Sequence, residues 1–344
     1  MTSAHEKLPD KTDVLVVGAG PAGLAAALKL AESGSSILLV DSRKRIGHPI
    51  RCAEITGLDY FDKMGVEPRP GWMRVATVSW KDIPVIILNR EKTESGIAEI
   101  AAKRGAIVRT STSVVAVGEF DGNGRRVTLI NGKNTQTIFT RCVIAADGVS
   151  SYVARCSGID TYLPPSRVAT GVAFRVSDVN LKYPERIYNR PLPPPLSKIP
   201  YYYFWVVPNG NREANIGLGV PGPGGFKALI LLRKMMAESD ALSGGRVVQT
   251  IVGILPDAPP LAKPFGDGLL VTGGAARMLD PLTGGGISTA VLSGSAAADT
   301  LIEVGGAVTT RDRLNRYPEK IKNTVYLRLE RQWKKRRRQE QHPL

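Results

Sequence analysis

The segment DVLVVGAGPAGLAAALKLAESG, residues 13–34, restricts the possible folds of this chain more than any other. Its apolar run Val14–Val17 has the composition of a buried parallel strand. Gly18, Ala19, Gly20, Pro21, Ala22 and Gly23 follow as a GxGxxG turn, and the next residues, through Ala31, read as a helix. In such a turn the first glycine allows the bend and the second lets backbone approach a pyrophosphate. The third lets the helix pack on the strand. The helix amides then face the phosphate, where the dipole favours negative charge. A second strand, SILLVD, ends at Asp41, twenty-three residues beyond Gly18, where a carboxylate can bond adenosine ribose hydroxyls. Strand, turn, helix and acid agree on a dinucleotide site; a purely structural glycine turn is the competing reading. The motif does not separate NAD from FAD, although its place at the start of the chain matches FAD-first folds.

Farther along, residues 92–105 read as an amphipathic helix with Ile97, Ile100 and Ala101 on one face. The strands AIVRTSTSVVAV, RRVTLING and QTIFTRCVIAAD follow, as a meander hung on the nucleotide domain. Asp147-Gly148 ends the last of them, at the strand edge where open α/β sheets bind ligands, with a short helix expected from an N-cap at Ser150 or Ser151. A plain Asp-Gly turn competes. Prolines then crowd residues 165–260, with aromatics clustered in YYYFW, residues 201–205. Gly217 and Gly219 interrupt the partner strand ANIGLGV, as happens where a ligand or another backbone comes close. This region reads as a second, antiparallel lobe with an aromatic-lined pocket; Tyr203 and Trp205 simply filling a core is the alternative.

Composition narrows the classes. With 344 residues and 43% hydrophobic content, two lobes or one large α/β unit are both open. Cys52, Cys142 and Cys156 are too scattered for a disulfide framework, which points to a reducing compartment. Three histidines without Cys/His spacing argue against a metal site. The polar start MTSAHEKLPDKTD lacks the apolar stretch of a signal peptide, and no run reaches the roughly 18 apolar residues of a membrane span. A cytoplasmic protein, soluble or peripheral on a membrane, is expected. The net charge of +15 gathers in LRLERQWKKRRRQEQ, residues 327–341. That run fits an anionic membrane surface with Trp333 as a nearby anchor, or a solvated tail; nucleic acid fits least, since no aromatic-rich basic groove accompanies it.

Four segments, GAGPAG, RCAE, ADGVSSYVAR and DPLTGGGIS, together with YFWVVPNGNREANIGLG, resemble the geranylgeranyl reductase family. The resemblance spans roughly residues 12–300. Tyr203, Trp205, Pro208, Gly217 and Gly219 match the family's aromatic motif, while Val207 stands where phenylalanine is usual. It implies an α/β fold of the aromatic-ring hydroxylase type: a Rossmann-like FAD-binding domain with a second, antiparallel-sheet substrate domain. Residues 1–60, 90–160 and 261–310 would form the first, 61–89 and 161–260 the second, and 311–344 a basic C-terminal helix or tail.

The activity implied is FAD-dependent saturation of C=C bonds in a polyprenyl chain, with NAD(P)H or reduced ferredoxin as electron donor. By this resemblance Gly18–Gly23 would hold the FAD pyrophosphate and Asp41 the ribose. Arg51, Cys52 and Ala53 would run along the cofactor, with Cys52 by its reactive face as the candidate proton donor. Arg90, Val114 and Asp147 would also touch the nucleotide, and Gly285, Gly286 and Ile287 the ring. Tyr203 and Trp205, with Pro208, Gly217 and Gly219, would form the prenyl cavity. Two departures stand out. Gly274 occupies the place of a cofactor-binding aspartate, for which Asp280 is a candidate substitute. The chain also stops soon after the basic helix, which implies a more open tunnel or one completed by a partner chain. A monooxygenase of the same fold and a flavin-free lipid carrier are the rival readings; a halogenase lacks its Trp-x-Trp-x-Ile segment here.

Overall fold

The computed structural model describes residues 7–196 and 202–341, so Tyr201 of the aromatic cluster lies outside the described residues. Apolar runs without alternation become the centre of a mainly parallel sheet, because helices or meanders cover both its faces. The strand Lys11–Val17 lies between Ile37–Val40 and Asn134–Ala145, parallel to both. Ile107–Arg109 extends the sheet on one side and Leu269–Val271 on the other, also in parallel. Thr112–Val117 and Arg125–Asn131 form the expected antiparallel meander with Asn134–Ala145. One strand therefore serves both the meander and the nucleotide sheet.

The helices Pro21–Leu30 and Ile287–Val304 belong to the two glycine turns, and they pack directly on each other. A Cβ at Gly294 would stand 2.0 Å from the carbonyl oxygen of Ala22, so only glycine allows this approach. The expected helix over 92–105 is found as Arg90–Lys103, with Asn89 accepting the amide of Lys92.

A second sheet is antiparallel throughout, in the order Tyr188–Pro191, Tyr203–Gly210, Glu213–Pro221, Val168–Ser177, Arg246–Pro256. The helix Gly225–Ala237 covers one of its faces, burying Ala228, Leu232, Met235 and Met236 against Val172, Phe174 and Ile216. A third sheet joins Ile55–Gly57, Ile83–Leu88 and Met73–Trp80. Residues 55–57, grouped by the sequence with the first domain, thus pair with strands grouped with the second. This sheet packs on the second through Val78, Val85, Ile87, Ile187 and Val207.

The C-terminal segment corrects the solvated-tail reading. Leu314, Tyr317, Ile321, Val325 and Leu329 enter the main core, and the Tyr317 hydroxyl donates to the carbonyl of Val271 at 3.0 Å. The basic run is a helix, Leu327–Gln341, with Trp333 and Arg336 buried and Arg328, Arg331, Lys334, Lys335, Arg337 and Arg338 exposed. Charge count misleads here because every third or fourth residue of the run faces inward. Among the described residues no helix is long and apolar enough to cross a membrane.

Candidate active site

The two glycine-rich segments stand close together: a Cβ on Gly273 would meet the Ala22 Cβ at 3.0 Å. Gly18 has φ +101°, and a Cβ on it would meet the carbonyl of Ala146 at 2.4 Å. A Cβ on Gly23 would meet the carbonyl of Gly18 at 1.8 Å, so the third glycine does bring helix and turn together. Gly20 has open space before it, and the helix it caps carries no side-chain cap. Its amides face the opening that the motif prescribes for a pyrophosphate. Across this gap lie Gly148 and Gly274, with Gly148 only 3.5 Å from where a Gly274 Cβ would be. Asp147 is half-buried there; its Oδ2 accepts the amide of Val153 and its buried Oδ1 has no partner. Burial pushes this carboxyl above its ordinary range, against the hydrogen bond from Val153. Neither serine caps the short helix: Ser151 donates instead to the carbonyl of Ala275, and Asp147 supplies the cap.

Asp41 is buried, and both oxygens are in use. Oδ2 accepts from Ala19 N at 2.7 Å and Arg43 Nη2 at 2.8 Å, and Oδ1 from Arg43 N and Nε. These contacts fill the four lone-pair positions of a carboxylate, so a ribose hydroxyl gains a bond to Asp41 only by displacing Arg43. Burial opposes the charge on Asp41, but the Arg43 guanidinium outweighs it and holds the carboxyl below its usual range.

A cavity of about 260 Å³ opens between the second sheet, the 51–55 segment and the triple-glycine loop. Arg51, Cys52 and Ala53 line one wall, Gly284, Gly285, Gly286 and Ile287 another. The helix begun at Ile287 also has no side-chain cap, so its N-terminus opens on this space. Trp80, Val172, Ala173, Ile187 and Ile251 make the rest predominantly apolar. Tyr203, Trp205 and Gly219 line it as the aromatic motif implies, with Tyr203 and Trp205 edge-to-face at 6.0 Å. Pro208 and Gly217 stand behind the lining. The close neighbour at Gly217 is the Trp205 ring, 2.4 Å from a would-be Cβ, rather than a ligand. Arg90 and Val114 also lie off this cavity: Val114 is in the main core, and Arg90 pairs with Glu94.

Several residues that the sequence did not single out hold the cavity in shape. The buried Glu54, with φ +66°, accepts Arg74 Nε at 3.0 Å and Arg175 Nη2 at 2.8 Å on one oxygen, and the amide of Arg90 on the other. Two residues before it, the Cys52 sulfur accepts the Glu54 amide at 3.2 Å. Asn215, also buried, accepts from Trp205 Nε1 at 2.9 Å and donates to the Cys52 carbonyl at 3.4 Å. Tyr203 donates its hydroxyl to the carbonyl of Thr283 at 2.9 Å, tying the second sheet to the triple-glycine loop. Burial, with the Asp280 charge nearby, pushes that phenol up to about 12. Asp280 lines the cavity, and its Oδ1 accepts the amides of Leu282 and Thr283. It shapes its own loop rather than the gap beside Gly274. At the far end Arg336 lines the cavity too, paired with Asp257 through Nη2 at 2.8 Å, while Tyr202 donates to the same carboxylate at 3.0 Å.

The donor set fits an FAD: an uncapped helix behind open glycines for a pyrophosphate, then a second uncapped helix beside a cavity that takes a flat ring. No group of three or more His, Cys, Asp or Glu able to hold a metal ion occurs among the described residues.

Comparison with known proteins gives the same assignment. The FAD dependent oxidoreductase family profile matches residues 13–47. A digeranylgeranylglycerophospholipid reductase of Methanosphaerula palustris is 34% identical over 85% of this chain and 76% of that protein. Its namesake from Methanocella arvoryzae is also 34% identical, over 94% of this chain and 86% of its own. Among solved structures, a geranylgeranyl bacteriochlorophyll reductase-like protein of Thermoplasma acidophilum superposes with a TM-score of 0.87 at 25% identity, covering 95% of this chain and 87% of that one. The flavin-dependent halogenase CmlS shares the fold, with a TM-score of 0.71 at 18% identity over 92% of this chain and 62% of its own. The chain therefore belongs to the digeranylgeranylglycerophospholipid reductase family and is an FAD-dependent oxidoreductase.

Proposed function

We propose that this enzyme saturates C=C bonds in the geranylgeranyl chains of a glycerophospholipid, the substrate class in the names of its relatives. The observation that carries the reading is the apolar cavity, which ends on Cys52 at one wall and on the triple-glycine turn at the next. An isolated alkene has little polarity to recognise, so binding rests on shape and apolar contact. Trp80, Ala173, Ile187 and Ile251 supply that contact, and the Tyr203–Trp205 pair fixes the wall nearest the loop.

When bound, FAD in its reduced form would supply the hydride chemistry for one alkene carbon. The chain's own task is to hold the alkene, exclude water and deliver a proton to the second carbon. Gly18–Gly23, with Gly148, would hold the pyrophosphate, and the amides at Gly285–Ile287 would hold the ring. Cys52 is the proton donor. Its position depends on Glu54, which anchors the loop with arginines, and on Asn215, which fastens the Cys52 carbonyl to Trp205. Electrons come from NAD(P)H or a reduced ferredoxin. The exposed cations of the C-terminal helix attract an anionic membrane surface.

The test is an anaerobic single turnover. Flavin is reduced chemically, a digeranylgeranyl glycerophospholipid in detergent is added, and flavin absorbance is followed alongside product mass. Flavin reoxidation with a saturated product is the expected result. Reoxidation only when oxygen is admitted, with no mass gain from hydrogen, overturns the reading.

A further inference from the structure

The strand Arg246–Pro256 lies at the edge of the antiparallel sheet, paired only with Val168–Ser177. Its side chains alternate between faces, as in any strand. Ile251, Gly253 and Leu255 line the cavity. Val252 and Ile254 point the other way and are 44% and 53% exposed. On that same side begins the helix Gly225–Ala237: the would-be Cβ of Gly225 is 3.8 Å from Val252 Cγ1. The next residue, Phe226, is 78% exposed, and Ile230, one helical turn on, is 55% exposed. Large apolar side chains exposed together on an edge strand and its neighbouring helix mark a surface that something covers.

Charge selects the occupant. Lys227, Arg233 and Lys234 are exposed on the same helix. The residue after the strand, Asp257, is bound by Arg336, which brings the exposed Lys334, Lys335, Arg337 and Arg338 to the end of the strand where Ile254 sits. Apolar side chains rimmed by lysine and arginine suit an anionic bilayer, where the former enter the acyl boundary and the latter meet headgroups. We propose that Phe226, Ile230, Val252 and Ile254 insert into the surface of an anionic lipid bilayer. Resting on the lipid-substrate reading above, this gives the edge strand a second role, with Val252 and Ile254 turned to the bilayer and Ile251, Gly253 and Leu255 turned to the cavity.

The test uses the full chain with FAD and vesicles of phosphatidylcholine mixed with phosphatidylglycerol. In Phe226→Trp, the new indole emission is expected to shift to the blue on vesicle addition and to be quenched by lipids spin-labelled on the upper acyl chain. Phe226→Ser/Ile230→Ser, both at exposed positions, is expected to lower vesicle partitioning about tenfold or more. Its turnover of detergent-dispersed substrate stays at the wild-type level. An unshifted, unquenched indole overturns the proposal. So does unchanged partitioning of the double variant, which would leave the C-terminal helix alone responsible. Conversion of a dimer to a monomer by the double variant in light scattering would assign the face to a second copy instead. Failure of the reductase reading is separate: dispersed substrate would then leave the flavin reduced while the indole still inserted.

Discussion

Three single positions concentrate the chemistry. Cys52 is half-buried in the cavity wall, with its sulfur oriented by the Glu54 amide. A positioned proton donor contributes about a hundredfold or more. Cys52→Ser is expected to lower the rate of flavin reoxidation by alkene by about that factor while FAD content stays constant; an unchanged rate removes the role. Gly274 has ordinary van der Waals room for a side chain and no positive φ. Gly274→Asp is therefore expected to fold, and a new hydrogen bond of about 1 kcal/mol would tighten FAD roughly fivefold. Fluorescence titration of the apoprotein checks it. At Gly217 the opposite holds, since an added methyl meets both the Trp205 ring and the Val172 carbonyl. Gly217→Ala is expected to cost about 1–3 kcal/mol, read as a lowered melting temperature.

At the scale of elements, what the sequence disclosed follows the reach of each interaction. The first strand, turn and helix were legible because their pattern is contiguous and Gly23 closes on the Gly18 carbonyl five residues away, whereas the constraint on Gly18 from the Ala146 carbonyl is distant and was not. The aromatic motif was legible by resemblance. Its supports were not: Asn215 reaches Cys52 across 163 residues, Tyr203 reaches Thr283 across 80, and no local pattern encodes such pairs. Arg43, which occupies Asp41, was hidden for another reason, since a charged residue after a strand reads as loop. Of the helix and tail readings of the C-terminus, the structure has the helix; its buried side was not legible because a basic run conceals it. Arg336 is buried against Asp257, and removing one member of a buried pair leaves the other uncompensated. Arg336→Ala is expected to destabilise by about 3 kcal/mol in urea unfolding, whereas Arg337→Ala, exposed one residue away, should change it by less than about 0.5 kcal/mol.

Across the whole molecule, the antiparallel sheet faces the triple-glycine loop across the cavity, and the two helices behind the glycine turns touch backbone to side-chain position at Ala22 and Gly294. Neither helix can slide on the other without breaking that contact. A cofactor site that uses both turns would thus lie on one rigid block rather than between two jaws. Dissociation of FAD by successive release, ring first and adenosine later, would need the block to open, so the departure should be all-or-none. Stopped-flow release into an excess of a scavenging apoprotein that binds FAD tightly should follow a single exponential. Gly294→Ala, which forces the helices apart, should introduce a second phase. A packing contact buried far from any substrate would in this way decide how long the enzyme keeps its colour.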